Sequence, residues 1–170
     1  SGGYVSQHYF KFGDTLYEKP NIYELDLHDE SKRNQSRELS FIFENAGPSF
    51  VTEARKKFPF LSLADEPSAI KLQYNKGSGG CFPYHYDNPG PPSRRQLTCI
   101  VYLNPEWKDG DGGELELLPF LSTSVKIKPL MDRAVLFRSD MLLHRVLPST
   151  KERYCFTIWI DGLNVNKDED

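Results

Sequence analysis

The sequence predicts a mainly β fold, either a double-sheet jelly roll or a barrel. From residue 69 onward, short segments rich in β-branched and aromatic residues follow one another at regular spacing. In the first of them Ile70, Leu72 and Tyr74 alternate with polar residues, which is the period of a half-buried strand. Clusters of glycine and proline separate the segments, because these residues favour turns. About eight strands are predicted, at residues 70–74, 82–87, 96–103, 114–118, 125–127, 133–137, 144–147 and 154–160.

The N-terminal part shows weaker patterns than this β region. Residues 26–37 are charged and poor in apolar side chains, which favours a loop or the exposed end of a helix. Residues 38–44 alternate in part, so their pattern allows either a strand or a helix. Ser49 is predicted to cap a helix over residues 52–57, which ends before Pro59 and supports one face of the sheet.

Length and composition favour a single domain over residues 1–170, with a supporting region at 1–65 and the β core at 69–161. A hydrophobic content of 38% suits a compact core. The 21 basic and 24 acidic residues give a net charge of -3, which offers no electrostatic reason to bind nucleic acid or membranes. No apolar run approaches the roughly 20 residues that span a bilayer. We expect a monomer that binds neither nucleic acid nor membranes.

The cysteine pattern points to a reducing compartment. Cys81, Cys99 and Cys155 are odd in number and irregular in spacing, which argues against a disulfide framework. No pair has the CxxC spacing of zinc fingers or thioredoxin-like enzymes. The expected location is therefore the cytoplasm or the nucleus.

Three residues have the order of a metal site. His85 and Asp87 are two apart, so on a strand both side chains point to the same side. His144 follows about sixty residues later and must come from another strand. Two imidazoles and one carboxylate are the facial ligand set of non-haem Fe(II), which leaves positions open for a co-substrate and dioxygen. Zinc can use the same three ligands.

A basic residue after the last ligand favours iron over zinc. Arg153 lies nine residues beyond His144, inside a predicted strand. A fixed guanidinium suits a dicarboxylate such as 2-oxoglutarate, which can occupy two open positions on the iron. Its distal carboxylate needs a cation and hydroxyl partners, and Arg153, Tyr102 and Thr157 are candidates for these roles.

The site residues belong to a longer series of motifs. The series consists of residues 85–89, 98–104, 112–115 and 132–140, then His144 with Val146, and Arg153 and Tyr154 with Thr157 and Trp159. In this order and spacing, residues 71–161 resemble the prolyl-hydroxylase branch of the Fe(II)/2-oxoglutarate dioxygenases. Within that branch they resemble the hypoxia-inducible-factor prolyl hydroxylases and their microbial relatives.

The resemblance implies a distorted double-stranded β-helix fold, a hydroxylation reaction and the residues that carry it out. Such an enzyme hydroxylates a prolyl residue of a protein or peptide, with succinate and carbon dioxide as co-products. Fe(II), 2-oxoglutarate and dioxygen are required, and ascorbate is the expected reductant. The implied site residues are His85, Asp87 and His144 as iron ligands, Arg153, Tyr102, Thr157 and Tyr74 around 2-oxoglutarate, and Arg95 and Trp159 at the peptide entrance.

Other functions share some of these features. The substrate of an oxygenase could instead be another protein side chain or a free amino acid. A non-catalytic binding module on the same fold and a zinc-dependent hydrolase are further alternatives. Phe82 stands where the hypoxia-inducible-factor enzymes carry a tyrosine, and the first 65 residues match them weakly, so the target protein is left open.

Overall fold

The computed structural model describes residues 5–12 and 14–163, and its strands form two antiparallel sheets. The strands are β1 (Ser6–Phe12), β2 (Thr15–Asp26), β3 (Ala69–Asn75), β4 (Gly80–His85), β5 (Arg95–Tyr102), β6 (Leu115–Leu118), β7 (Val125–Ile127), β8 (Ala134–Arg138), β9 (Leu143–Ser149) and β10 (Arg153–Asp161). The larger sheet has the order β1-β2-β3-β10-β5-β8, and the smaller sheet has the order β4-β9-β6-β7. The predicted mainly β fold with two sheets is confirmed.

From β3 onward the chain passes repeatedly between the two sheets. Strands β3, β5, β8 and β10 lie in the larger sheet, and β4, β6, β7 and β9 lie in the smaller one. All eight predicted strands are present, with bounds that differ from the prediction by at most two residues. The last of them, β10, is buried almost throughout because both of its faces are covered.

The hairpin of β1 and β2 was not predicted. Strand β2 pairs with β3 only through its second half, from Ile22 to Asp26. Residues 15–18 pair with β1 alone and are exposed, so they show no alternation of buried and exposed positions. Ile22 and Leu25 carry the buried apolar signal of this strand. Two buried side chains in twelve residues are too few to reveal a strand from periodicity.

The helices precede β3. They are α1 (Glu30–Arg33), α2 (Arg37–Phe41), a π-helical segment (Ile42–Ala46) and α3 (Gly47–Lys57). Residues 38–44 are therefore helical, which decides between the two predicted alternatives. None of the helices among the described residues has the length and apolar character that crossing a membrane requires.

The prediction that Ser49 caps a helix was wrong. Ser49 lies inside α3, and its hydroxyl donates to the carbonyl of Asn45 at 2.7 Å. Helix α3 begins at Gly47, directly after the π-helical segment, and Pro48 lies near its start. The hydroxyl cap is found earlier, at Ser36, which accepts from the backbone N–H of Leu39.

Two apolar clusters lie on opposite faces of the larger sheet. One joins Val51 and Ala54 of α3 to Ile158 and other residues of the sheet, so the helix supports this face as predicted. The second lies between the two sheets and includes Ile100 and Leu115. The faces of β10 differ accordingly, since even-numbered residues such as Ile158 face the helices and odd-numbered residues face the smaller sheet.

Replacing Gly112 by alanine is expected to destabilise the fold by about 3 kcal/mol. Gly112 has a φ of +74°, and a Cβ at this position would overlap the carbonyl oxygen of Pro148. Gly110 is the matched control, because its φ is +99° but a Cβ there meets no atom within 4 Å. Gly110→Ala should therefore cost only about 1 kcal/mol, the strain of the left-handed backbone. Urea denaturation of both variants measures the difference, and equal losses would contradict the expected overlap.

Candidate active site

Two strands of the smaller sheet bring the predicted metal ligands together. His85 ends β4 and pairs in register with His144 of β9, and Asp87 lies just beyond β4. The Nε2 atoms of His85 and His144 lie 3.2 Å and 3.6 Å from Oδ1 of Asp87. The potential ligand atoms of all three residues lie within 4.8 Å of one another. These side chains could therefore hold one metal ion.

Backbone carbonyls orient both imidazoles for metal binding. Nδ1 of His85 lies 2.8 Å from the carbonyl oxygen of Pro83, and Nδ1 of His144 lies 3.1 Å from that of Leu142. Since a carbonyl can only accept a hydrogen bond, each Nδ1 must carry the proton. Each Nε2 then has a lone pair directed at the shared site. Burial lowers the pKa of His144, which favours the neutral form that binds metals.

The two oxygens of Asp87 have separate surroundings. Oδ1 faces the histidines, whereas Oδ2 accepts hydrogen bonds from Thr98 Oγ1 at 2.7 Å and from Trp159 Nε1 at 3.0 Å. Burial alone would raise the pKa of Asp87. The contacts with His85, His144 and Thr98 outweigh burial, so the pKa of Asp87 lies well below its usual range. The carboxylate is thus ionised and held in one orientation.

Replacing Thr98 by valine is expected to weaken metal binding by about tenfold, since outer partners of a ligand typically contribute that much. The hydroxyl of Thr98 has one proton, which goes to Asp87, so Ser139 must donate to Thr98 at 2.8 Å. Valine keeps the shape but removes the link between the carboxylate and this chain of hydroxyls. Mn(II) titration followed by electron paramagnetic resonance measures the dissociation constant. Thr52→Val, on the exposed side of α3, is the control, and an equal affinity of both variants would rule out this role of Thr98.

A cavity between the two sheets joins the ligands to Arg153. Arg153 is 3% exposed, its Nε donates to the carbonyl of Gly113 at 2.9 Å, and its Nη1 lies 3.4 Å from Cys155 Sγ. No described aspartate or glutamate forms an ion pair with it. A buried cation without a counter-ion is costly, so the cavity favours an anionic ligand. The cavity is lined by Gln73, Phe82, His85, Asp87, Ile100, Leu115, His144, Val146, Arg153, Cys155, Thr157 and Trp159.

A buried hydroxyl lies close to this guanidinium. Tyr102 is fully buried, its ring lies 5.1 Å from the guanidinium carbon of Arg153, and its hydroxyl has no hydrogen-bond partner among the described residues. Burial raises the pKa of Tyr102 to about 12, so the phenol remains a donor at neutral pH. Thr157 lines the cavity from the same strand as Arg153. An unpaired cation and an unsatisfied hydroxyl fit the carboxylate end of 2-oxoglutarate.

The match to a family model decides which class of protein this is. Residues 71–161, more than half of the chain, match the 2OG-Fe(II) oxygenase superfamily. The chain belongs to this superfamily. The two sheets of the oxygenase are the distorted double-stranded β-helix that the motifs implied, and the family uses Fe(II) and 2-oxoglutarate. In this chain, His85, Asp87 and His144 fit Fe(II), and the buried Arg153 fits 2-oxoglutarate.

Known prolyl hydroxylases are among the relatives of this oxygenase. It is 38% identical over 97 residues to prolyl hydroxylase EGLN3 of Mus musculus, which covers 55% of the chain and 40% of that protein. A crystal structure of a prolyl 4-hydroxylase from Phytophthora capsici matches with a TM-score of 0.78 and 49% identity. The match covers 86% of the present chain and 50% of the Phytophthora capsici chain. A prolyl hydroxylase of Trichoplax adhaerens, in complex with a hypoxia-inducible-factor peptide fragment, has a TM-score of 0.74 and 26% identity, covering 94% and 71%. The oxygenase thus spans about half or less of the first two relatives.

The structure does not bring Tyr74 of the oxygenase to the cavity, which corrects its predicted position beside 2-oxoglutarate. Its ring stacks on Tyr154 at 4.8 Å, and its hydroxyl donates to Glu152 at 2.6 Å. Successive residues of a strand point to opposite faces, so the preceding residue of β3, Gln73, lines the cavity instead.

The two predicted peptide-entrance residues lie together beside Asp87. The guanidinium carbon of Arg95 lies 4.5 Å from the ring centre of Trp159, and Nη1 of Arg95 lies 3.4 Å from the backbone oxygen of Asp87. Trp159 also donates to the Asp87 carboxylate, a contact that the sequence did not predict. Trp159 therefore lines the cavity and also holds the carboxylate of Asp87 in place.

Proposed function

We propose that this chain is an Fe(II)- and 2-oxoglutarate-dependent oxygenase that hydroxylates a prolyl residue of a protein substrate. Succinate and carbon dioxide are the co-products. One observation carries the proposal: His85, Asp87 and His144 share one cavity with the buried, unpaired Arg153. The family match and the prolyl hydroxylases among the relatives support it.

In this proposal the chain itself supplies binding, orientation and exclusion of water. His85, Asp87 and His144 hold Fe(II), and the metal with its co-substrate supplies the activation of dioxygen, with ascorbate as reductant. Thr98 fixes the free oxygen of Asp87, which leaves only Oδ1 for the metal. Apolar side chains such as Ile100 line the cavity and keep bulk water from the reacting groups.

The end of the cavity at Arg153 binds the distal carboxylate of 2-oxoglutarate. Arg153 pairs with the distal carboxylate through its guanidinium, whose position is fixed by the carbonyl of Gly113. Tyr102 donates its unsatisfied hydroxyl to the same carboxylate. Thr157 lines the same cavity from farther along β10, with Cys155 between it and Arg153. Binding thus neutralises the buried cation and satisfies the buried phenol in one step.

Arg95 and Trp159 contact the protein substrate next to the iron site. Their stacked pair provides an aromatic face and a cation at the backbone of Asp87. Support for a peptide substrate comes from the Trichoplax adhaerens enzyme, whose structure contains a peptide fragment. The free cysteines Cys81, Cys99 and Cys155 support a reducing location, cytoplasm or nucleus. A monomer suits this proposal.

The test is turnover of 2-oxoglutarate to succinate by the purified protein with Fe(II) and ascorbate. Proline-containing peptides are added as a pool, and the matched control is the His144→Ala variant. Turnover stimulated by one peptide, with a gain of about 16 Da on its proline, is the expected result. A gain of about 16 Da on another residue or on a free amino acid would show that the substrate is not a prolyl residue. Turnover equal in the His144→Ala variant would reject the site.

A further inference from the structure

We propose that Gln73 binds 2-oxoglutarate directly, by donating an amide N–H into the cavity, and that it sets the affinity for this co-substrate. The inference rests on the proposed function and assigns a residue that the motifs do not contain. In the family resemblance Tyr74 had this place, but its side chain lies on the opposite face of β3.

The register of β3 against β10 places Gln73 among the co-substrate residues. Gln73 pairs with Cys155, which lies between Arg153 and Thr157 on the cavity face of β10. The next residues of β3 on the same face have other roles. Lys71 forms an ion pair with Glu24, and Asn75 donates to the carbonyl of Gly80. Gln73 is thus the β3 side chain that lines the cavity in the described part of the chain.

Hydrogen bonds fix which end of the amide faces a ligand. Oε1 of Gln73 lies 3.3 Å from Thr157 Oγ1 and 3.6 Å from Cys155 Sγ, both of which donate to it. A carbonyl oxygen can only accept, so these two donors hold Oε1 against β10. Nε2 is then directed away from them, and it has no hydrogen-bond partner among the described residues. Two N–H donors are left for a molecule in the cavity.

The charges in the cavity identify an anion as that molecule. The acidic residue of the lining is Asp87, whose Oδ2 is occupied by Thr98 and Trp159 and whose Oδ1 faces the metal site. Apart from the proposed metal ligands, the polar lining includes two groups that can donate to an anion, the guanidinium of Arg153 and the amide of Gln73. A dicarboxylate that extends from the metal ligands toward Arg153 passes this amide. The amide of Gln73 donates without carrying a charge, whereas an acidic side chain at this position would repel the dicarboxylate.

The test measures binding rather than activity. Mn(II) replaces Fe(II) without redox chemistry, and calorimetry gives the dissociation constant of 2-oxoglutarate for the wild type and three variants. Gln73→Glu keeps an acceptor for Thr157 and Cys155 but removes the donors and adds charge, so affinity should fall by at least about thirtyfold. Gln73→Met removes both functions at similar size and should cost about tenfold. Tyr74→Phe, on the opposite face, should bind like the wild type.

The outcomes separate this inference from the proposed function. Failure of the wild type to bind 2-oxoglutarate would overturn both. Binding by the wild type and by Gln73→Glu within about twofold would overturn only the role of Gln73, because a structural role for its oxygen survives in glutamate. Loss of affinity in Tyr74→Phe but not in Gln73→Met would return the role to Tyr74. Thermal melting of each variant identifies misfolded protein, and Gln73→Met gives the answer if the charged variant does not fold.

Discussion

Replacing Asp87 by alanine is expected to abolish 2-oxoglutarate turnover and to weaken metal binding by at least about 100-fold. The variant loses the one anionic ligand of the set and keeps His85 and His144 alone. It also leaves the hydroxyl of Thr98 and the indole N–H of Trp159 without their acceptor. Mn(II) titration measures the metal, and formation of succinate measures turnover.

An exposed aspartate provides the control for this change. Asp109 lies in a surface loop and pairs with Lys128, so Asp109→Ala should keep full metal affinity and turnover. Melting temperatures of both variants distinguish a lost ligand from a lost fold. Full coupled activity of Asp87→Ala would exclude the proposed ligand set. Loss of metal in Asp87→Ala together with unchanged binding in Asp109→Ala is the outcome that supports it.

The convergence of His85, Asp87 and His144 could be predicted from the sequence, although the expected reason was only partly right. The prediction placed His85 and Asp87 on one strand, with side chains on the same side. In the structure β4 ends at His85, and Asp87 lies beyond it. The ligands converge because His85 and His144 face each other across two paired strands. The order and spacing of the residues along the chain therefore predicted which side chains converge, but not the strand pairing that brings them together.

The supporting contacts could not be predicted, because they join positions that no local pattern links. The carbonyl of Gly113 holds Arg153 across 40 residues of sequence, and Gln73 meets Thr157 across 84 residues. Both depend on the register between strands, and a shift of one residue turns every side chain to the other face. The family resemblance implied Tyr74, whereas the register places Gln73 at the cavity.

The hairpin of β1 and β2 escaped prediction for another reason. Residues 15–18 of β2 pair only with β1 and are exposed, so they carry no row of buried apolar side chains. The inner half of the hairpin joins the larger sheet next to β3, and Glu24 lies opposite Gln73. The N-terminal region is therefore part of the sheet that forms one wall of the cavity.

Replacing Arg153 by alanine is expected to raise the 2-oxoglutarate concentration for half-maximal turnover by at least about 100-fold, because removing one member of a buried charge pair costs about 2–5 kcal/mol. Arg153→Lys keeps a charge but loses the planar fork, so its loss should be intermediate. Arg37→Ala, on the exposed side of α2, is the control.

Metal binding separates this effect from general damage to the site. Arg153 contacts Gly113 and Cys155 but none of the three metal ligands, so Mn(II) affinity should be unchanged in both Arg153 variants. An intact metal site with a strongly raised 2-oxoglutarate requirement assigns the guanidinium to the co-substrate. An unchanged requirement in Arg153→Ala would mean that the buried cation has another anionic partner. A simultaneous loss of metal would instead indicate that Arg153 holds the two sheets together around the site.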